Sequence, residues 1–217
     1  MPLINKPRRD PDWLVAFLEH CHRRHYPKNT AIFSTGEPAS TLYLIMDGSV
    51  TVVMEDEERH ELVLAYLNKG EFMGEMGLFV PSESRNVIAR TRTDCEVAEI
   101  AYTRLLELLE TDLRDHAKDF LFAIGKHLSR RLLQTSQKVG RLAFLDVTGR
   151  VARTLLDLCE QPESMTHPEG MQIRVTRQEL GRIVGCSREM AGRVLKNLEQ
   201  EGLIGVRGKT IVVYGTR

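Results

Sequence analysis

The feature that most constrains the fold is a change of hydrophobic period part-way along the chain. From about Tyr26 to Tyr102, apolar residues gather in short runs: Ala31–Ser34, Leu42–Met46, Ser49–Met54, Glu61–Tyr66, Val87–Thr91 and Cys95–Ile100. Gly36, Asp47-Gly48, Asn68–Gly70 and Pro81 punctuate them. Short, evenly spaced β-rich runs between glycine turns predict an antiparallel roll or barrel. A helical pattern around Trp13, Leu14, Phe17 and Leu18 opens residues 11–25. After Thr103 the period is helical again. Leu121, Ile124, Leu128, Leu132, Thr135, Val139 and Leu142 recur at gaps of 3, 4, 4, 3, 4 and 3. That near-heptad stripe suits a long helix that buries one face against a partner helix. Packing on the chain's own roll is the competing use of the stripe, and the spacing favours a homodimer. Phe144–Asp146 interrupt it, as a hinge would. A further helix is expected over Val147–Glu160 and an exposed loop over Gln161–Gly170, which holds Pro162 and Pro168.

The segment Thr176–Lys196 carries the sharpest local signal. Thr176 with Glu179 fits a capping box, and Leu180, Ile183 and Val184 form an inner face. Gly185-Cys186-Ser187 makes a tight turn, and Ser187 can cap a second helix whose inner face is Ala191, Val194, Leu195 and Leu198. This is a helix-turn-helix pattern. Arg188, Glu189 and Arg193 point outward: Arg suits a guanine edge and Glu can accept from cytosine. Thr176, Ser187 and Lys196 suit phosphates, and Arg177 and Gln178 lie beside them as further DNA-facing candidates. Gly202-Leu203-Ile204 and Thr210–Tyr214 flank Arg207-Gly208-Lys209, a hairpin that would act as a wing and bring Lys209 to the backbone.

Net charge at first opposes that reading, because 30 Lys+Arg balance 30 Asp+Glu over 217 residues. The balance is uneven, however. Met171–Arg217 holds nine basic and four acidic residues, a net of +5, and the rest of the chain carries −5. Nucleic-acid affinity follows the local field, so the basic end is the relevant quantity. No apolar run approaches the roughly 18–20 residues that span a bilayer, and the polar start Met1–Asp10 lacks a signal-peptide core. A cytoplasmic protein with reduced thiols is therefore expected. Cys21, Cys95, Cys159 and Cys186 form no C-x-x-C pair. His20, Cys21, His22 and His25 lack the partners of a metal site, which disfavours a cupin-type metalloenzyme. No catalytic triad, carboxylate pair or P-loop is evident, so an enzyme is not expected.

A second cluster lies in the roll, at Phe72-Met-Gly-Glu-Met-Gly-Leu-Phe79 followed by Arg85. Gly74 and Gly77 allow close backbone approach, Arg85 suits a phosphate, and Glu75 can accept from a sugar hydroxyl. A turn-rich barrel corner with a surface Arg explains the same residues equally well.

This segment resembles the phosphate-binding cassette of the cyclic-nucleotide-binding superfamily. Together with Lys138–Arg150, the helix-turn-helix and Gly208–Arg217, it resembles the cAMP receptor proteins of the CRP/FNR family of bacterial transcription regulators. The resemblance runs from about Leu18 to Arg217. It implies an α+β chain: an N-terminal cyclic-nucleotide-binding antiparallel β-roll (1–117), a long dimerisation helix and hinge (118–145), and a C-terminal winged helix-turn-helix (146–217). It implies an allosteric homodimer that cAMP activates to bind pseudo-palindromic double-stranded DNA with TGTGA-like half-sites. Glu75 would hold the ribose hydroxyl, Gly74 and Met76 would line the sugar-phosphate, and Arg85 would pair the phosphate. Thr135 and Arg131 would lie at the base, and Ser136 would reach the partner subunit's nucleotide. RNA polymerase contacts are implied around Met165–His167, at His22 and Arg24, and at Asp56-Glu57-Glu58. The family's phosphate-contacting Ser after the cassette Arg is Asn86 here, whose amide can still donate. Some relatives that answer to cyclic di-GMP carry a changed residue at this spot. That makes a cyclic di-GMP-responsive regulator, released from DNA by its ligand, the alternative to cAMP. The chain also has extra length around Leu109–His116.

Overall fold

The computed structural model describes residues 10–80 and 83–216. Pro81, Arg217 and the polar start up to Arg9 lie outside the described residues. Unit 1 combines Met1–Val53 with Ala65–Leu132, and unit 2 combines Met54–Leu64 with Leu133–Arg217.

Unit 1 opens with α1 (Asp12–Glu19) and β1 (His22–Tyr26). The short helix expected around Trp13, Leu14, Phe17 and Leu18 is α1, and the strand that follows it was not expected. The apolar 3/4 spacing ends at Leu18, and the polar run His22–His25 is extended because its backbone pairs with β8 (Cys95–Ala101). β2 (Ala31–Phe33), β3 (Thr41–Asp47), β4 (Ser49–Glu55), β5 (Glu61–Asn68) and β7 (Ile88–Thr91) fall on the expected runs. β6 (Phe72–Met73) is too short to leave a period. Two four-stranded sheets result, in the orders β1-β8-β3-β6 and β2-β7-β4-β5. Ile45, Val50, Met73, Ala89 and Val97 belong to one buried apolar cluster of the roll. A second layer forms where α1, α3 (Tyr102–Glu110) and the start of α4 (Ala117–Phe144) pack on the first sheet. Phe17, Phe72 and Phe120 meet there with ring centroids 5.2–5.9 Å apart, within the range of favourable aromatic pairs. The extra length before α4 forms a 3-10 turn at Arg114–His116, and Leu113 beside it is buried in this layer.

The stripe on α4 divides in two. The stripe's Ile124 is buried and Leu128 packs partly against the same cluster, beside buried Phe120, so these residues of the first half serve the chain's own roll, while the stripe's Leu121 is 44% exposed. From Leu132 onward the apolar residues are exposed, including Leu133, Val139, Leu142 and Phe144, the last at 87%.

Unit 2 holds α5 (Val147–Cys159), α6 (Arg177–Val184), α7 (Arg188–Gln200) and a third sheet, ordered β11-β12-β10-β9. The strands are β9 (Met165–His167), β10 (Gly170–Arg174), β11 (Ile204–Arg207) and β12 (Thr210–Tyr214). The loop expected over Gln161–Gly170 is therefore part strand: Met165–His167 pair with Gly170–Gln172 across a turn at Pro168-Glu169. Asp146 caps α5 by accepting from the Gly149 amide at 2.7 Å. Buried Leu155, Leu180, Ala191 and Leu195 join the three helices. No described helix is long and apolar enough to cross a membrane.

Candidate functional site

In unit 1 the cassette residues come together around buried charge. α2 (Met76–Phe79) follows β6 through Gly74 and Glu75. Gly74 sits at φ +79°, and a Cβ there would come 2.8 Å from Arg85 Nη1, so both conformation and space demand glycine. Arg85 is 7% exposed. Its guanidinium lies over the Phe33 ring at 4.6 Å and donates to the Thr41 carbonyl at 2.6 Å and the Tyr102 hydroxyl at 3.1 Å. Tyr102 in turn donates to the Gly74 carbonyl. Burial raises the Tyr102 pKa despite the adjacent Arg85, so its hydroxyl stays protonated.

Glu75 is 2% exposed. Its Oε1 accepts from Arg131 Nη1 at 2.5 Å, and Arg131 also donates to the Phe72 carbonyl. Three polar atoms of this cluster are buried with no hydrogen-bond partner among the described residues: Glu75 Oε2, Arg85 Nε and Arg131 Nε. An orphaned buried polar atom is costly, so a built site with spare donors and a spare acceptor implies a ligand that supplies partners. An anionic group for the two guanidinium N–H donors and a hydroxyl for the carboxylate fit this set. Met76 and Asn86 are exposed at its edge. Thr135 and Ser136 are not gathered with the cassette in unit 1; they lie exposed on the part of α4 that belongs to unit 2.

In unit 2 the exposed charges line one helix. The Thr176 hydroxyl accepts from the Glu179 amide at 3.0 Å and the Ser187 hydroxyl from the Met190 amide at 3.1 Å, so each caps its helix as expected. Gly185 closes α6 at φ +73°, the left-handed C-cap that the turn requires. Ala191, Val194, Leu195 and Leu198 are buried, which turns Arg188, Glu189, Arg193 and Lys196 to solvent. Hydrogen bonds from its own amide and from Ser187 hold the Glu189 carboxyl below its usual range, leaving it an acceptor. Arg177, Gln178 and Lys209 are also exposed, Lys209 at the β11–β12 turn. Arg141 and Arg153 both pair with Asp157, which ties the end of α4 to α5.

Two family matches coincide with these two regions. Residues 23–112 match the cyclic nucleotide-binding domain, and residues 149–214 match the Crp-like helix-turn-helix domain. The chain is 57% identical over 208 residues to the CRP-like protein Clp of Xanthomonas euvesicatoria pv. vesicatoria, covering 96% of this chain and 90% of that one. The chain belongs to the CRP/FNR family of transcription regulators. Members of this family are DNA-binding regulators rather than enzymes, and its helix-turn-helix is the DNA-binding element. Among solved structures of CRP-type regulators, the c-di-GMP-responsive global regulator CLP of Xanthomonas campestris is 57% identical, with TM-score 0.91 over 94% of this chain and 99% of that one. The Thermus thermophilus catabolite activator protein is 29% identical, with TM-score 0.52 over 94% and 90%. The expectation of a cAMP receptor protein is corrected to this extent: the likeness to Clp is much stronger than to that catabolite activator.

Sequence reasoning missed the residues that hold the CRP-type cassette closed. Thr41 uses its backbone carbonyl, which no sequence signal marks. Tyr102 and Phe33 read as strand-end aromatics. His127, beside Phe72 at 5.6 Å, has a buried Nδ1 with no partner among the described residues. It falls between stripe positions, so periodicity passes over it.

Proposed function

We propose that this chain is a cyclic di-GMP-responsive transcription regulator whose ligand releases it from operator DNA. The observation that carries this reading is the 57% identity, across almost the whole chain, to the c-di-GMP-responsive CLP. Asn86 after the cassette Arg supports it, since the Ser expected of a cAMP-binding cassette is absent. A second reading, activation by cAMP, draws support from the buried set Gly74, Glu75, Arg85 and Arg131 with its unpaired donors and acceptor.

In either case Gly74, Glu75, Met76, Arg85, Asn86 and Arg131 form the nucleotide-facing wall, and Thr135 and Ser136 are further nucleotide-binding candidates by resemblance to the family. The exposed apolar residues Leu132, Leu133, Val139, Leu142 and Phe144 support a homodimer, which would complete that wall from the partner subunit. The parts we propose are a roll (1–117), a dimerisation helix and hinge (118–145) and a reader (146–217). Arg188, Glu189 and Arg193 read bases; Thr176, Arg177, Gln178, Ser187, Lys196 and Lys209 position the backbone. Two second helices about 34 Å apart would meet successive major grooves of a pseudo-palindrome. Ligand binding shifts that spacing through α4 near Thr135–Leu142. Exposed His22, Arg24 and Asp56–Glu58, together with the segment Met165–His167, would contact RNA polymerase. A regulator with these partners works in the cytoplasm.

Calorimetric titration with cyclic di-GMP and with cAMP, beside operator binding at fixed salt, tests the reading. The expected result is saturable cyclic di-GMP binding that weakens operator affinity, with no such response to cAMP. Binding of cAMP that strengthens operator affinity would replace it with the second reading.

A further inference from the structure

Three consecutive residues at the start of β5 each meet a different part of the DNA-reading unit. The Glu61 carboxylate pairs with Arg182 on α6 at 2.8 Å, with the Glu61 side chain only 11% exposed. The Leu62 side chain packs at the turn, where a Cβ on Gly185 would sit 3.9 Å from both Leu62 and Leu142. The Val63 carbonyl accepts from Lys138 Nζ on α4. The β4–β5 hairpin tip therefore belongs to the compact unit that carries the helix-turn-helix, although its sequence lies far away.

We propose that Glu61 is a positioning residue for DNA binding, and that the hairpin tip braces α6 and its turn in the orientation that presents α7 to the operator. In a helix-turn-helix the first helix crosses the DNA backbone and fixes the angle of the second. Arg182 lies in the last turn of α6, three residues before the left-handed Gly185, so the pair pins the end of α6 from which α7 departs. The carboxylate and guanidinium attract at contact distance, with the Glu61 side chain largely shielded from water, and Leu62 packs beside them at the turn. The inference goes beyond the ligand reading and holds for either nucleotide, since it uses only the DNA-binding role of the family.

Simple electrostatics predicts the opposite outcome. Removing Glu61 raises the positive charge of the reader and frees Arg182 for phosphates, which would tighten all DNA binding. The brace predicts weaker specific binding. The test uses full-length Glu61→Gln, Arg182→Gln and the double exchange Glu61→Arg with Arg182→Glu. Operator and non-specific duplexes are compared at fixed salt, without nucleotide and with each of cAMP and cyclic di-GMP. Amide hydrogen exchange of α6 is followed in parallel. Each single variant is expected to lower the operator-to-non-specific affinity ratio about five- to tenfold and to speed exchange in α6, and the double exchange to restore most of both. An unchanged ratio and unchanged α6 exchange, tighter operator binding, or an exchange variant no better than the singles would overturn the proposal. If Glu61→Gln fails to fold, Arg182→Gln, at a more exposed side chain, carries the same prediction. Failure of the ligand reading would appear as a different nucleotide dependence in the wild type, separate from the change in ratio. The exchange measurement decides even where a duplex is bound weakly.

Discussion

In the cassette, Glu75 and Arg85 are sealed in the roll and bonded to protein atoms, whereas Arg188, Glu189 and Arg193 on α7 stand in water with their non-polar helix face buried beneath them. Buried charges in the first region have lost hydration and rely on the pairs Glu75–Arg131 and Arg85–Thr41 and Arg85–Tyr102. Removing one member strands the other, so stability is at stake. Exposed charges in the second region remain hydrated and contribute little to the fold. Their energy is realised only against bases and phosphates. The cassette should therefore respond to substitution through folding and ligand affinity together, and the reader through DNA affinity alone.

The hardest test of that contrast is Glu75→Gln. It leaves Arg131 half-paired inside the roll, and about 3 kcal/mol of stability should be lost. For a chain of this length that lowers the melting midpoint by roughly 6–12 °C in a calorimetric scan. A change under about 1 °C would mean that the pair is not shielded as described. Next comes Arg188→Ala, expected to weaken operator binding by about ten- to hundredfold and to relax base preference at one position. Its melting midpoint should match the wild type, and a drop comparable to that of Glu75→Gln would break the comparison. Lys209→Ala should weaken operator and non-specific duplexes alike by about threefold, with the salt slope falling by roughly 1, as titrations at several salt concentrations would reveal. The smallest effect concerns His127. Burial, aided by Arg131 and Arg130, holds its pKa below the ordinary value against Glu71 and Glu75. The unfolded chain therefore takes up the proton first. Stability is full above the unfolded value near 6.5 and declines as pH falls through it. The midpoint should drop by about 1–3 °C between pH 7.5 and 5.5 more steeply in the wild type than in His127→Phe.

The strands of the roll were legible because their side chains alternate or cluster between glycine turns. β1 was not, because Arg23, Arg24 and His25 gain their extended shape from backbone pairing with β8 and carry no apolar signal. The reader was legible almost residue by residue, down to the Thr176 and Ser187 caps, because helix ends write their hydrogen-bond needs into side chains. The stripe on α4 left two uses open, a partner helix and the chain's own roll, and spacing alone favoured the first. Its first half serves the roll, since Phe120 enters the aromatic layer with Phe17 and Phe72 and draws Ile124 with it. In the cassette, Gly74, Glu75 and Arg85 were found by motif. Their partners Thr41 and Tyr102 were not, because those contacts are long-range and one is a main-chain oxygen.

β1 has a consequence for solubility. It is the outer strand of its sheet, so one row of its amides and carbonyls faces away from β8. Such a row is a template on which a second extended chain can pair and seed aggregates. The sequence written along it is His22-Arg23-Arg24-His25, with every one of those side chains exposed. Two fixed positive charges and two imidazoles on a single edge repel an identical edge from another molecule. Replacing Arg23 and Arg24 with valine would preserve the strand and remove that repulsion, leaving a sticky border on an otherwise well-behaved roll.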